Sequence, residues 1–289
     1  TNTSGDAEID TLRSEGLDMQ ATKTHFQTIV NDFVNEIRLM ASLEGRPNIV
    51  NVKDYKVVEK KGEFGWHIFI LMELLTPFAV YTCDHQMTEA EVIKLGCDIC
   101  TALETCADEK IIHRDIKPGN IMTDSTGKDI LIDFGASKQY DEVDGENTST
   151  LMGHTPGYAP LEQMGNDVVK FHPCTDIYAL GATLYKLLTG ATPLNATRRA
   201  SGEKLSPLPS KLSSSTRAAV LSAMKLVKDE RPQTIDAFLE ILDGKVVVEE
   251  DERTIIDDEN DDVTIPDDPK PTPNPNPDDK EKKEKASKK

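Results

Sequence analysis

The sequence predicts an α+β protein, in which one helix and two strands precede a longer part that is mainly helical. In several stretches of the 289 residues, apolar side chains recur every three or four positions, which is the spacing of helices with one buried face. Between the first two of these stretches lie two short runs rich in β-branched and aromatic residues, at 50–58 and 66–71. Runs of this kind, separated by a polar turn, are typical of paired strands.

The first helix is predicted from the apolar residues between positions 26 and 41. These residues recur at helical spacing: Phe26, Ile29, Val30, Phe33, Val34, Ile37, Met40 and Ala41. The turn between the two strands is predicted at 60–63, where charged residues surround Gly62.

The helices that follow the two strands are marked by start and stop signals. Thr88 and Glu91 form a capping box, in which each side chain satisfies a free backbone amide at the start of a long helix. Another apolar helix is predicted over 175–188 and stops at Gly190, because glycine readily adopts the left-handed conformation that ends helices. The remaining helices are predicted at 213–227 and 235–242.

The C-terminal part of the chain differs in composition from the rest. Acidic residues dominate from Glu249 to Asp268, followed by alternating prolines and a run of lysines and glutamates. Such segments bury too little apolar surface to offset the entropy lost on ordering, so a disordered tail is predicted. The predicted domains are 1–75, 76–245 and the tail at 246–289.

Charge and cysteine content exclude some classes of protein. The chain has 51 acidic against 33 basic residues, which argues against nucleic acid as a partner, because phosphate contacts need clustered Lys and Arg. No run of about eighteen apolar residues occurs, so no membrane span is predicted. The cysteines are odd in number and irregularly spaced, which indicates free thiols in a reducing compartment. Cys97 and Cys100 lie in an apolar helical stripe and are interpreted as core residues rather than as a redox or zinc site.

Two short motifs carry four polar groups of the kinds that phosphoryl transfer needs. The first contains Asp115, Lys117 and Asn120, and the second begins with Asp133 after an apolar stretch. The Asp115 carboxylate can orient and deprotonate an acceptor hydroxyl, and Lys117 adds positive charge where the transferred group gathers negative charge. The Asn120 amide oxygen and the Asp133 carboxylate are hard oxygen ligands suited to Mg2+.

Both motifs, in this order and spacing, resemble the catalytic loop and metal-binding turn of serine/threonine protein kinases of the bacterial type. Lys117, two residues after Asp115, is typical of kinases that modify serine and threonine. The resemblance implies a two-lobe protein-kinase-like fold, the cofactors ATP and Mg2+, and transfer of the ATP γ-phosphate to serine or threonine hydroxyls of protein substrates. The implied catalytic residues are Asp115, Lys117, Asn120 and Asp133, with Asn120 and Asp133 as the metal ligands.

The resemblance also implies residues that bind the nucleotide. The run from Met72 to Leu75 resembles the hinge of kinases, with Met72 as gatekeeper, the Glu73 carbonyl as acceptor from the adenine amino group and the Leu75 amide as donor to the ring. Glu36, in the predicted small-lobe helix, matches the glutamate that pairs with a phosphate-binding lysine in the family. A solvated helix glutamate is the alternative for Glu36.

Further matches to the family concern structure and regulation. Glu162 is expected to pair with Arg231, and Asp176 to hold the backbone of the catalytic loop. Arg114 matches the arginine that binds a phosphate of the activation segment, and a phosphate can order a loop against an arginine. The implied regulatory residues are Arg114, Thr148, Ser149, Thr150 and Thr155. An acidic mobile loop with incidental hydroxyls is the alternative.

The beginning of the chain departs from the family. No Gly-rich phosphate loop and no lysine-bearing strand precede Phe26, and Lys23 lies in a polar context that makes it a poor substitute for the lysine that binds the phosphates. The small lobe is therefore predicted to lack its first strands, and the chain to be an N-terminally incomplete copy of an active kinase. The alternative is a pseudokinase-like scaffold that binds a nucleotide or a partner without turnover.

The tail offers a possible partner site. Thr254 and Thr264 each precede an aspartate by three residues in acidic surroundings, and phosphothreonine-binding domains read such motifs with arginine clusters. A docking site created by autophosphorylation is one interpretation, and a solvated spacer is the other. The predicted location is cytoplasmic, either free or as the cytoplasmic part of a membrane-anchored protein.

Overall fold

The structure is a computed structural model that describes residues 19–60, 65–78, 86–134, 138–139, 155–164 and 171–246. Chain contacts divide the protein into two units, Thr1–Ile256 and Asp257–Lys289, and the described residues all belong to the first. The predicted tail at 246–289 lies outside the described residues apart from Val246.

Helix α1 (Met19–Ser42) begins before the first apolar residue from which it was predicted. The residues ahead of Phe26 are mainly polar, so the apolar pattern gave no sign of this first part. Phe26 and Val30 pack against Trp66 in a small separate cluster, while the second half of the helix contributes to the main core. The helix is thus held along its length by two groups of apolar contacts.

Strands β1 (Val52–Glu59) and β2 (Trp66–Met72) form an antiparallel pair, as the two apolar runs predicted. Among the described residues, this sheet contains these two strands and no others. Phe69 and Leu71 of β2 are 58% and 60% exposed, because no described element covers that face of the sheet.

The loop between α1 and β1 is bound to the large lobe. Asn48, with a φ of 58°, accepts from the Leu131 amide at 2.8 Å through its carbonyl and donates to the Asp129 carbonyl at 2.8 Å through its side chain. Asparagine tolerates this left-handed conformation better than most residues. Because Leu131 lies two residues before Asp133, the loop connects α1 to the segment that carries the second motif.

Helix α2 (Glu89–Asp108) begins the large lobe with the predicted capping box. Thr88 Oγ1 accepts from the Glu91 amide, and the Glu91 carboxylate accepts from the Thr88 amide at 2.7 Å. The buried face of the helix, which includes Leu95 and Ile99, packs into the main core.

The two cysteines of α2 singled out by the sequence differ in their surroundings. Cys100 is buried, but Cys97 is exposed, so the interpretation of both as core residues is wrong for Cys97. Burial raises the pKa of the Cys100 thiol well above its usual range, and partial desolvation raises that of Cys97, which disfavours the thiolate that redox chemistry or metal binding needs. Among the described residues, no group of three or more His, Cys, Asp or Glu side chains is arranged to hold a metal ion.

Short strands hold the two loops that carry the motifs. Strand β4 (Ile111–Ile112) leads into the first motif and pairs with β7 (Lys138–Gln139), which follows the second. Strands β5 (Ile121–Thr123) and β6 (Asp129–Leu131) form an antiparallel pair between the motifs, and β3 (Thr76–Pro77) pairs with β5. Because β4 and β6 are buried, they fix both loops in place.

Helix α3 (Pro173–Thr189) is the most buried helix of the large lobe and ends at Gly190, whose φ of 76° is the left-handed conformation expected of this stop. The remaining helices are α4 (Ala196–Ala200), α5 (Ser214–Ala223) and α6 (Ile235–Leu242). Helix α5 is shorter than the predicted 213–227, whereas α6 has the predicted bounds. In the described part of the chain, no helix is long and apolar enough to cross a membrane.

Candidate active site

Asp115 lies at the centre of a cluster of polar side chains. Lys117 Nζ donates to Asp115 Oδ2 at 2.6 Å, and the Asn120 side-chain nitrogen donates to the same oxygen at 2.8 Å. The Thr155 hydroxyl donates to Asp115 Oδ1 at 2.7 Å and accepts from Lys117 Nζ at 2.9 Å. The structure therefore brings together the three polar residues that the first motif predicted, and it adds a fourth from a distant segment.

These contacts determine the charge of Asp115. Burial raises the pKa of its carboxyl group, but the hydrogen bonds from Lys117 and Thr155 and the charge of Lys117 outweigh burial and hold the pKa below its usual range. Asp115 is therefore ionised at neutral pH, which is the state that a proton acceptor needs.

Asn120 joins the two motifs. Its side-chain nitrogen donates to the carbonyl and to the carboxylate of Asp115, so its amide oxygen is the atom left for an external ligand. Its backbone carbonyl accepts from the Ile132 amide at 3.0 Å. This bond places the residue before Asp133 beside the catalytic loop.

Asp133 has a left-handed backbone, with a φ of 63°. Its side chain is exposed, while the adjacent Phe134 is buried and meets His113 edge-on with ring centres 4.7 Å apart. Phe134 thus anchors the turn in the core, and Asp133 stays accessible. Gly135, which completes the motif in sequence, lies outside the described residues.

Glu36 contacts Asp133. The two carboxyl groups are hydrogen-bonded, and burial, together with the charge of Asp133, raises the pKa of Glu36 to about 7. Such a bond requires one of the two groups to carry a proton. Glu36 is half-buried beside Asp133, and its part in nucleotide binding stays a prediction. Lys23 is remote from this pair, because it forms a surface ion pair with Glu59 at 2.8 Å.

Asp176 holds the catalytic loop as the sequence predicted. Its carboxylate oxygens accept from the amides of His113 and Arg114, each at 2.7 Å. The side chain is completely buried, and burial raises its pKa to about 6 despite the two amide donors. Arg114 has a φ of 70°, which is unfavourable for a residue with a side chain, and the two hydrogen bonds to Asp176 stabilise this conformation.

Arg114 is a buried cation with unused donors. Its guanidinium lies over the Phe171 ring, 4.3 Å from the ring centre, and only 7% of the residue is exposed. Within the described part of the chain, Nε and Nη1 have no hydrogen-bond partner. The neighbouring Gln163 donates to the Arg114 carbonyl at 2.8 Å. Because buried unpaired donors cost free energy, this position favours a bound anion.

Glu162 and Arg231 form the buried ion pair that the sequence predicted. Arg231 Nη1 and Nη2 donate to the two Glu162 oxygens at 2.6 and 3.1 Å, and the side chains are 0% and 9% exposed for Arg231 and Glu162. The Arg231 guanidinium also lies over the Tyr178 ring. The pair fixes the end of the segment that begins near Thr155 against the large lobe.

The predicted hinge connects β2 to β3. Met72 ends β2 and is 42% exposed. The Glu73 amide donates to the Asn51 carbonyl at 3.2 Å, and the Glu73 carboxylate accepts from the Asn51 amide at 2.7 Å. No described residue forms a hydrogen bond with the Glu73 carbonyl or the Leu75 amide, so both groups are available to a ligand.

Of the four candidate regulatory residues with a hydroxyl group, the structure describes Thr155 and not the other three. Thr148, Ser149 and Thr150 lie outside the described residues, and their phosphorylation stays a prediction. Thr155, which the resemblance grouped with them, lies in the catalytic cluster with its hydroxyl bound to Asp115 and Lys117. A single threonine in a polar stretch carries no periodic signal, so its sequence gave no sign of this contact.

The sequence model of the protein kinase domain family matches residues 17–253, which is most of the chain. Together with the two lobes and the clustered motif residues, this match shows that the chain belongs to the protein kinase domain family. The predicted α+β two-lobe fold is thereby confirmed. Kinases of this family use ATP and divalent metal ions.

Several bacterial relatives are serine/threonine kinases by name. The chain is 31% identical over 166 residues to the probable serine/threonine-protein kinase PknB of Lactococcus lactis, and the match covers 56% of this chain and 25% of that protein. It is 28% identical over 191 residues to the serine/threonine-protein kinase PknA of Mycobacterium tuberculosis, covering 64% of this chain and 43% of that protein. These relatives confirm the bacterial type of the resemblance, and the chain spans less than half of the length of each.

Proposed function

We propose that this chain is the catalytic part of a serine/threonine protein kinase that transfers the ATP γ-phosphate to protein hydroxyls. The observation that carries the proposal is the cluster around Asp115, an ionised carboxylate to which Lys117 and Asn120 both donate. A binding scaffold needs no ionised carboxylate in contact with a lysine and a threonine hydroxyl.

In the proposed reaction, the oxygen of the substrate hydroxyl attacks the γ-phosphorus of ATP, and ADP leaves. Asp115 accepts the proton that this hydroxyl loses. Lys117 lies 2.6 Å from Asp115, where its charge offsets the negative charge gathered during transfer. The carboxylate and the ammonium are held by loops on buried strands, so little reorganisation accompanies the reaction.

Asn120 and Asp133 would hold Mg2+. The two side chains suit this ion, because the Asn120 amide oxygen accepts no hydrogen bond in the cluster and the Asp133 carboxylate is accessible. Mg2+ usually binds to one or two protein oxygens of this kind and completes its coordination with water and phosphate oxygens. When bound, the ion supplies positive charge against the phosphate oxygens. The acid Glu36 beside Asp133 is then a further member of the nucleotide site.

The hinge would hold the adenine. The Glu73 carbonyl and the Leu75 amide have no partner among the described residues and offer one acceptor and one donor to the ring. Met72, at the end of β2, is proposed as the gatekeeper. The predicted boundaries of the small lobe at 1–75 and the large lobe at 76–245 place this hinge between the lobes.

Regulation would act through Arg114. Its unused guanidinium donors favour a phosphate, and the hydroxyls of Thr148, Ser149 and Thr150 are the proposed carriers of that phosphate. A phosphate there would bring close to two negative charges to a buried cation and order the segment that ends at Thr155.

Partners and location complete the proposal. Protein substrates are expected for this family, and phosphorylated Thr254 or Thr264 would recruit a phosphothreonine-binding domain to the tail. A cytoplasmic location is proposed, and nucleic acid is not expected as a partner, given the formal net charge of -18.

The test is transfer of labelled γ-phosphate from ATP to protein. It is measured for this chain beside its Asp115→Ala variant, with phosphoamino-acid analysis of the product. The proposal expects phosphoserine or phosphothreonine whose formation depends on Asp115. If no transfer depends on Asp115, the alternative of a pseudokinase-like scaffold is correct.

A further inference from the structure

The Glu73 carboxylate replaces a backbone carbonyl in the strand ladder. Asn51 and Glu73 face each other one residue beyond the last pair of β1 and β2, Val52 and Met72. Antiparallel residues that face each other in this way normally exchange two backbone hydrogen bonds. Here the Glu73 amide donates to the Asn51 carbonyl, but the Asn51 amide donates to the Glu73 side chain at 2.7 Å.

Because the carboxylate accepts from the Asn51 amide, the backbone carbonyl of Glu73 does not take part in the strand ladder. No donor in the described ranges of the chain contacts it. A ligand or a water molecule that donates to this carbonyl would satisfy its hydrogen-bonding capacity. The carbonyl is also the group that the proposed function assigns to the adenine amino group.

The Asn51 amide has a fixed position. The side-chain oxygen of Asn51 accepts from the Gly45 amide at 2.7 Å, and Gly45 has a φ of 78° that closes the loop after α1. The same loop is bound to the large lobe through Asn48. Because the amide cannot move far, Glu73 offers it two acceptors, the carboxylate that it binds at 2.7 Å and the backbone carbonyl of the same residue.

We infer that Glu73 is a positioning residue, whose carboxylate binds the Asn51 amide and thereby keeps the Glu73 carbonyl free for the exocyclic amino group of a purine. The inference rests on the proposed function, because it concerns the same nucleotide site. On this inference, the Glu73 side chain makes the nucleotide site prefer a purine with a 6-amino group over a purine without one.

The experiment measures the binding of ATP and of purine riboside triphosphate, which lacks the 6-amino group, by calorimetry in Mg2+. The wild-type chain is expected to bind ATP about tenfold more tightly, the effect of one net hydrogen bond of about 1.4 kcal/mol. Glu73→Ala should lose this preference, because the Asn51 amide then turns to the carbonyl of residue 73. Glu73→Gln keeps a side-chain acceptor and should keep the preference.

The outcomes separate this inference from the proposed function. Equal binding of the two nucleotides by the wild type, or a preference that survives in Glu73→Ala, overturns the role of Glu73 and leaves Asp115-dependent transfer untouched. A wild type that binds neither nucleotide overturns the hinge site itself. A crystal structure of Glu73→Ala gives a check without nucleotide, because the Asn51 amide is expected within about 3 Å of the residue 73 carbonyl oxygen, and an amide that stays away from it contradicts the inference.

Discussion

The Thr155 hydroxyl donates to Asp115 Oδ1 at 2.7 Å and accepts from Lys117 Nζ at 2.9 Å, while Lys117 also donates to the other oxygen of the same carboxylate. A residue 40 positions along the chain thus completes the environment of Asp115. The position of the segment around Thr155 and the charge of the catalytic loop are therefore linked.

Removing the Thr155 hydroxyl should weaken catalysis and change its pH dependence. Thr155→Val keeps the shape but loses one donor to Asp115, so transfer is expected to fall about tenfold. The lost hydrogen bond lets the Asp115 pKa rise, and because activity needs the ionised form, the acid limb of the rate profile should move to higher pH. The measurement is the rate of γ-phosphate transfer against pH, and Thr155→Ser is the control that restores the donor. An unshifted acid limb in Thr155→Val would contradict the link.

The buried pair of Glu162 and Arg231 should matter for stability. Arg231→Met leaves the Glu162 carboxylate buried without its partner, which costs about 3 to 5 kcal/mol. The thermal midpoint should fall by about 10 °C. Arg198→Met is the matched control, because Arg198 pairs with Glu203 at the exposed surface and should leave the thermal midpoint nearly unchanged. Equal losses for the two variants would show that burial of the pair has no special effect.

The contact between Glu36 and Asp133 predicts a pH-dependent stability. Burial and the Asp133 charge raise the Glu36 pKa from 4.5 to about 7, so between these values the folded chain keeps a proton that the unfolded chain has lost. This contribution is fully present below pH 4.5 and is lost as the pH rises through about 7. Urea denaturation without metal should show the loss in the wild type and not in Glu36→Gln. The control is Glu44→Gln, because Glu44 is an exposed residue just after α1. The prediction is wrong if Glu44→Gln reduces the pH dependence of the free energy of unfolding as much as Glu36→Gln does.

The unused guanidinium donors of Arg114 predict that phosphorylation stabilises the folded chain. A phosphate on the segment that contains Thr148 should form charge-assisted hydrogen bonds to Arg114 worth about 2 kcal/mol, which raises the thermal midpoint by about 6 °C. The comparison is between phosphorylated and phosphatase-treated protein, with the sites located by mass spectrometry. Arg114→Met should abolish the difference, whereas Arg38→Met, at an exposed arginine of α1, should keep it. A difference that persists in Arg114→Met would place the phosphate elsewhere.

Much of the fold and of the site could be predicted because it depends on spacing. Asp115, Lys117 and Asn120 lie close together in sequence on one loop, so their contact follows from local geometry. The capping box at the start of α2 and the glycine stop of α3 are likewise local, and both are present where the sequence placed them.

The remaining features depend on contacts between distant segments. Thr155 carries no pattern, and its contact with Asp115 arises only when the chain returns to the catalytic loop. The Glu36 contact with Asp133 follows from the position of α1, which is set by the loop around Asn48. The exchange of acceptors at Glu73 involves a backbone amide, and backbone groups carry no sequence signal.

The central claim is that Asp115 is the group that accepts the proton of the hydroxyl during phosphoryl transfer. Its most direct test is the initial rate of γ-phosphate transfer by the chain with Asp115→Asn, compared with Asp124→Asn. Asp124 is a half-exposed aspartate whose carboxylate accepts from the Thr126 and Lys128 amides of its own turn, and asparagine suits such turns. We expect a loss of about 100-fold or more for Asp115→Asn and less than about twofold for Asp124→Asn. A rate for Asp115→Asn close to that of the wild type would contradict the claim.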